Sequence, residues 1–243
     1  MRKVVLGGLE AFVGGGTDGK GRGDGPVVVL LHGYGAPGTD LVPLADAIRV
    51  PSSVRFVFPM APIVLAPGIP DEFAARAWWP IDMLALQVAI ASGQHRAIAQ
   101  QDPAGLTEAR EQVLALLEAL ENELRVAPEQ IVLGGFSQGA MLATDVALRS
   151  DRRLAGLVIL SGTLMAEPVW NVRVPLRRGL PVLQSHGASD PILPFAAAET
   201  LQQRLTEAGL PVKWMPFAGG HGIPAPVLAE LGRFIAALTG GAP

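Results

Sequence analysis

The chain has 243 residues, 49% of them apolar, a formal net charge of −3 and no cysteine. That length and apolar content suffice for a full core, and one α/β domain of this size is ordinary. The lack of thiols excludes disulfide staples, cysteine nucleophiles and thiolate metal sites, while basic residues, scattered apart from short pairs such as Arg152-Arg153 and Arg177-Arg178, form no stripe that could neutralise phosphates, which excludes nucleic acid as a partner.

The N-terminal "MRKVVLGGLEAFVGGG" has a short apolar stretch broken by glycine and glutamate. It reads as a first strand or hairpin and not as a secretion signal. No run approaches the ~18 consecutive apolar residues of a membrane span, so a cytoplasmic protein without stable membrane insertion is expected. Residues 14–25, "GGGTDGKGRGDG", form a glycine-rich turn between strands. They include Gly14-x4-Gly19-Lys20, a fragment of a phosphate-binding loop, but Gly21 stands where Ser or Thr is needed and no helix follows.

"PVVVLLHGYGAPG" is a continuous apolar strand running into a glycine-rich loop, as suits a central parallel strand. "TDLVPLADAIR" has helical spacing after a capping Thr39, and "VRFVFP" reads as another buried strand. Residues 60–106 form an irregular insert that includes "RAWWPID" and a short helix around Met83–Ile90. Over 107–126 the spacing predicts an amphipathic helix. Thr107 caps it, Glu108 and Glu111 occupy its first turn, and Val113, Leu117, Leu120 and Leu124 form its stripe.

The segment "IVLGGFSQGAMLATDVALR" places Ser137 between a buried strand and a helix, flanked by Gly135 and Gly139. "LAGLVILSG", "LPVLQSHG" and "PVKWMPFAG" predict three more strands, with helices near 195–208 and 225–239. Strands alternating with helices imply an α/β fold with a mostly parallel sheet covered on both faces.

A serine hydroxyl needs a base to take its proton, and the base needs an orienting partner. Gly-x-Ser-x-Gly between a strand and a helix supplies the sharp turn that exposes such a serine at a helix N-terminus. The four histidines are His32, His95, His186 and His221. His95 lies in the polar part of the insert and is read as solvated, whereas the other three follow strand ends, where sites of parallel sheets gather. The chain order Ser, then acid, then His selects His221 with Asp190 in "HGASDPILP". Asp151 follows a helix and belongs on the opposite edge, and Glu167, in a loop after "LVILSG", is a weaker alternative acid. His32 and His186 are expected to bind nearby backbone groups. Oxyanion donors are expected from the backbone N–H of Gln138 and from the "HGYGAPG" loop at Tyr34. That loop also fits Gly33-x-Gly35-x-x-Gly38, a dinucleotide fingerprint, but Pro37 interrupts the helix start and no acid follows near residue 55.

Carried by "LLHGYGAPG", "RAWWPID", "GGFSQGAM", "HGASDPILP" and "GGHGIP", in order over nearly the whole chain, the sequence resembles the α/β-hydrolase fold. Within that fold it is similar to the phospholipase/carboxylesterase family, which includes acyl-protein thioesterases and small bacterial esterases. The resemblance implies a single domain over 1–243 with an irregular insert at about 60–106 and no large cap domain. It implies Ser137 as nucleophile, Asp190 as orienting acid, His221 as base, and oxyanion N–H groups from Tyr34 and Gln138. It also places Trp78 and Trp79 beside the substrate. The region 83–106 departs from the family pattern.

A fixed triad with an oxyanion hole needs neither cofactor nor metal. The partner expected is a small-molecule or lipid-like ester, and a homodimer is compatible with the sequence. The leading reading is a serine carboxylesterase acting on short- to medium-chain esters or thioesters, with Ile63, Val64, Leu65, Phe73, Trp78 and Trp79 as an apolar wall. A serine peptidase on the same fold lacks the propeller or large cap that would select peptides. A non-catalytic binder of hydrophobic ligands would have no need of the Ser/Asp/His set.

Overall fold

The structure is a computed structural model that describes residues 1–70, 73–93 and 99–240. The strands are β1 (Arg2–Leu6), β2 (Leu9–Gly15), β3 (Val27–Leu31), β4 (Arg55–Pro59), β5 (Ile63–Val64), β6 (Arg76–Ala77), β7 (Ile131–Phe136), β8 (Gly156–Leu160), β9 (Val182–Gly187) and β10 (Val212–Phe217). The helices are α1 (Leu44–Ala47), α2 (Met83–Ala91), α3 (Leu106–Glu123), α4 (Gln138–Arg149), α5 (Glu167–Arg173), α6 (Phe195–Glu207) and α7 (Ala225–Leu238).

Eight strands form one sheet in the order β1-β2-β4-β3-β7-β8-β9-β10. β1 and β2 make the expected N-terminal hairpin, and β2 meets β4 antiparallel; from β4 onward every pairing is parallel. β3, β7 and β8 read as unbroken apolar runs because both of their faces are covered. Val27, Val29 and Leu31 of β3 face a core built with α3, α4 and the Trp170 ring, whereas Val28 and Leu30 face a second core built with Val227, Leu231 and Ile235 of α7. The same alternation holds in β7 and β8, as a period of two requires.

Three helices differ from the sequence expectation. α1 spans only four residues, because Pro43 has no N–H to donate back to Thr39 and the chain before it closes in tight turns such as Val42 N–H to Thr39 O at 3.1 Å. Thr39 therefore caps no long helix. α3 starts at Leu106 behind a left-handed Gly105 (φ 87°), so Thr107 lies inside the helix, where its Oγ1 accepts from Arg110 at 3.2 Å. Val113, Leu117 and Leu120 are buried as expected, with Leu124 half-buried just past the helix end. Glu167, expected in a loop, instead opens α5, which buries Trp170. His95 lies outside the described residues. Among the described residues no helix is long and apolar enough to cross a membrane.

α3, α4 and α5 are joined beneath the sheet by one carboxylate. Asp145 is fully buried; Arg110 Nη1 lies 2.8 Å from its Oδ2, Trp170 Nε1 donates to its Oδ1 at 2.8 Å, and Arg149 stands 3.5 Å away. A buried charge is tolerable only when paired and fully hydrogen-bonded, and removing one partner strands the rest. Asp145→Ala is expected to lower the unfolding free energy by about 3–5 kcal/mol in urea denaturation. Arg153→Ala, which breaks an exposed pair with Glu129, is expected to change it by less than about 1 kcal/mol.

Candidate active site

The loops that follow β3, β7, β8, β9 and β10 share one edge of the sheet, where a crevice forms beyond the carboxyl ends of parallel strands. Ser137 stands there between β7 and α4 with φ 55° and ψ −119°, a backbone conformation that costs on the order of 1–3 kcal/mol in a non-glycine residue. The surroundings hold it in place. Ser137 N–H donates to Leu160 O at 2.9 Å, and its own carbonyl accepts from Ala140 and Met141 at 3.0 and 3.1 Å. The neighbouring glycines are steric requirements: a Cβ on Gly135 would lie 2.5 Å from the Gly139 carbonyl carbon, and one on Gly139 would lie 2.1 Å from Leu31 O. Gly33, in the loop after β3, brings that loop against the serine, since a Cβ there would lie 3.4 Å from Ser137 Cβ.

Asp190 and His221 meet at this edge from β9 and β10. His221 Nδ1–H donates to Asp190 Oδ2 at 2.7 Å, and this contact fixes the tautomer that leaves Nε2 with a lone pair. The His221 ring packs on Phe136, the residue before Ser137, with ring centroids 4.7 Å apart. The Asp190 carboxylate is saturated. Its Oδ1 accepts from Ile192 N–H (2.9 Å) and Leu193 N–H (3.0 Å), and His186 Nε2 stands 3.3 Å from its Oδ2. Burial alone would push this carboxyl up, but the hydrogen bonds from His221, Leu193 and Ile192 together hold it below the ordinary carboxylate range.

The two remaining described histidines bind backbone, as expected. His32 Nδ1–H donates to Gly33 O (2.9 Å) and its Nε2 accepts from Ala61 N–H (3.0 Å), so the ring is neutral with no room for a second proton. Burial is the main cause that lowers its pKa to about 4, and the nearby Arg76 charge acts in the same direction. His186 donates from Nε2 to Leu193 O at 3.0 Å, and burial likewise lowers its pKa. The alternative acids are engaged elsewhere: Glu167 begins α5 and pairs with Arg204 at 2.7 Å, and exposed Asp151 pairs with Arg173 at 3.1 Å.

Tyr34 lies in the loop beside Ser137, its hydroxyl 3.4 Å from Ile81 O. Among the described residues, the backbone N–H groups of Tyr34 and Gln138 have no hydrogen-bond partner. Gln138 has a role that sequence reasoning missed. Its side-chain oxygen accepts from Trp78 N–H (3.0 Å) and its amide donates to Trp79 O (2.8 Å), which clamps this segment to the head of α4. Trp78 is buried against His32, whose carbonyl accepts from its Nε1 at 2.9 Å. Trp79, also buried, lines a groove of about 420 Å³ with Pro80, Ile81, Met141, Met165 and Leu193. The rest of the expected apolar wall is not part of that groove. Ile63 and Val64 form β5 of the small β5–β6 ribbon, apart from the main sheet, and Val64, Leu65 just after it and Phe73 are exposed. A two-stranded ribbon has no second layer to bury both of its faces. The described residues contain no group of three His, Asp or Glu side chains able to hold a metal ion.

The phospholipase/carboxylesterase family profile matches residues 19–239. An acyl-protein thioesterase 1 of Eremothecium gossypii is 32% identical over 182 residues, which cover 73% of this chain and 72% of that protein. An acyl-protein thioesterase 1 of Candida albicans is 27% identical over 220 residues, covering 86% and 90%. Among solved structures, esterase PE8 superposes with a TM-score of 0.74 at 28% identity, covering 95% of this chain and 99% of that one.

The buried neutral His32 makes stability depend on pH. With a folded pKa of about 4 against ~6.5 when unfolded, the unfolded chain binds the extra proton between those values. The contribution is complete above pH ~6.5 and is lost as the pH falls towards 4, a loss of roughly 3 kcal/mol. His32→Gln keeps a donor and an acceptor but cannot titrate. In urea unfolding at pH 7 and pH 4.5, the wild type is expected to lose more stability than this variant; equal losses would refute the assignment.

Proposed function

The chain belongs to the phospholipase/carboxylesterase family and is a carboxylic ester hydrolase of the α/β-hydrolase fold, and on that premise we propose that it acts through Ser137, Asp190 and His221 on short- to medium-chain esters or thioesters. The observation that carries this reading is the 2.7 Å contact of Asp190 Oδ2 with His221 Nδ1, made beside a serine held at φ 55°.

The geometry supports the following roles. Asp190 fixes His221 in the tautomer whose Nε2 is free to take the Ser137 proton. Ser137 Oγ then attacks the substrate carbonyl, and the negative charge that develops on its oxygen is met by the unengaged N–H groups of Tyr34 and Gln138. Such donors are effective because they are in place before the charge appears, and each is worth roughly 100- to 1,000-fold in rate. Collapse of the tetrahedral intermediate expels the alcohol or thiol, which takes its proton from His221, and leaves an acyl group on Ser137. Water, deprotonated by the same imidazole, releases the acid and restores the serine. Nothing in these steps calls for a cofactor, and the apolar groove beside the serine suits a neutral acyl chain. The thioesterase names of the relatives support including thioesters in the substrate class.

The test is kinetic and chemical together. A fluorophosphonate probe is expected to label the wild type at Ser137 and to leave Ser137→Ala unlabelled. Asp190→Asn, which presents the wrong hydrogen-bond partner to the imidazole, is expected to reduce kcat by roughly 10,000-fold with folding intact. Full activity in Asp190→Asn, with loss in Glu167→Gln, would overturn the assignment of the acid. Strong turnover of emulsified triolein, with none of p-nitrophenyl butyrate or octanoate, would overturn the substrate class.

A further inference from the structure

One wall of the groove is a helix with an unusual balance of composition and burial. α2 reads MLALQVAIA, yet none of residues 83–89 is buried, and Leu84 and Val88 are 72% and 60% exposed. A surface helix ordinarily buries its apolar stripe against the protein. Here Ala85, Leu86 and Ala89 line the groove, and Met141, Leu164 and Leu193 line it as well from other elements.

Two residues of the groove lining are bonded directly to residues of the proposed triad. Met141 N–H bonds to the Ser137 carbonyl at 3.1 Å, and Leu193 N–H bonds to the Asp190 carboxylate at 3.0 Å. Its lining therefore begins at the immediate neighbours of both residues. Among the described residues the only ionisable side chain in the lining is Asp82, whose Oδ1 is occupied by Ala85 N–H at 2.9 Å, where it caps the start of α2. Such a groove, apolar and without a countercharge, takes an uncharged hydrocarbon.

We propose that α2 is the wall that sets acyl-chain length, with a linear acyl chain lying between Ala85, Leu86 and Ala89 on one side and Met141, Leu164 and Leu193 on the other. This rests on the assignment of Ser137 as the nucleophile, which places the acyl carbon at one end of the groove. The two alanines leave the width that a chain occupies, and the depth between the walls decides where added methylenes stop contributing. Each methylene buried there raises kcat/KM about fourfold until the groove ends.

The experiment measures kcat/KM for p-nitrophenyl acetate, butyrate, octanoate and decanoate with the wild type and three variants. Ala89→Trp fills the groove and is expected to lower the octanoate-to-acetate ratio at least tenfold. Leu86→Ala widens it and is expected to raise the decanoate-to-octanoate ratio, a gain that misfolding cannot produce. Val88→Ser, on the solvent face of the same helix, is expected to leave the chain-length profile in place. Profiles of Ala89→Trp and Leu86→Ala that superpose on the wild type overturn the proposal while leaving the triad assignment standing. So does a Val88→Ser profile displaced as far as that of Ala89→Trp. A wild type that hydrolyses none of the four esters overturns the functional reading and this one with it.

Discussion

The close approach of the first turn of α4 to the end of β3 is the constraint on which the site rests. No side chain fits between Gly139 and the Leu31 carbonyl, so the helix starts directly against the central strand. That proximity leaves Ser137 too little chain for a relaxed turn, and its backbone takes a conformation otherwise left to glycine. The two parallel pairings of β7, with β3 and with β8, supply the rigidity that maintains it. The loop after β3 comes within contact of the serine for the same reason, and the groove opens along the side of α4 that Met141 occupies.

Two buried carboxylates show how similar physics serves different ends. Asp145 is surrounded by arginine and tryptophan donors and knits three helices together at a distance from the crevice. Asp190 has no arginine partner among the described residues; it is held by two backbone N–H groups and by the His221 imidazole, which reaches the crevice edge. A carboxylate neutralised by a guanidinium would have little field left for a histidine. One stabilised by neutral dipoles keeps its charge available to an imidazolium.

Much of this arrangement was legible in the sequence because its causes are local. Unbroken apolar runs marked β3, β7 and β8, since strands covered on both faces have no polar side to display. The glycines about Ser137 marked the turn, and the chain order of acid and histidine picked out the pair that the fold brings to 2.7 Å. Features decided by distant packing were not legible. α5 has a short sequence with Pro168 in its first turn, and it is helical because Trp170 has a buried carboxylate to bond. The apolar residues at 63–73 looked like a substrate wall, but apolar character alone does not reveal which of two hydrophobic segments faces the crevice. The Gln138 amide offered no signal, because a clamp between segments 60 residues apart has no periodicity.

That clamp gives position 138 two separate occupations. In the proposed mechanism its main-chain N–H faces the developing oxyanion, while its side chain belongs to the architecture of the Trp78–Trp79 segment that leads, through Pro80 and Ile81, into α2. Mutagenesis reaches only the second of these, since every residue but proline brings the same N–H. A defect measured in a Gln138 variant is therefore a report on tethering, and the polarising function proposed for the amide answers only to chemical substitution of the backbone.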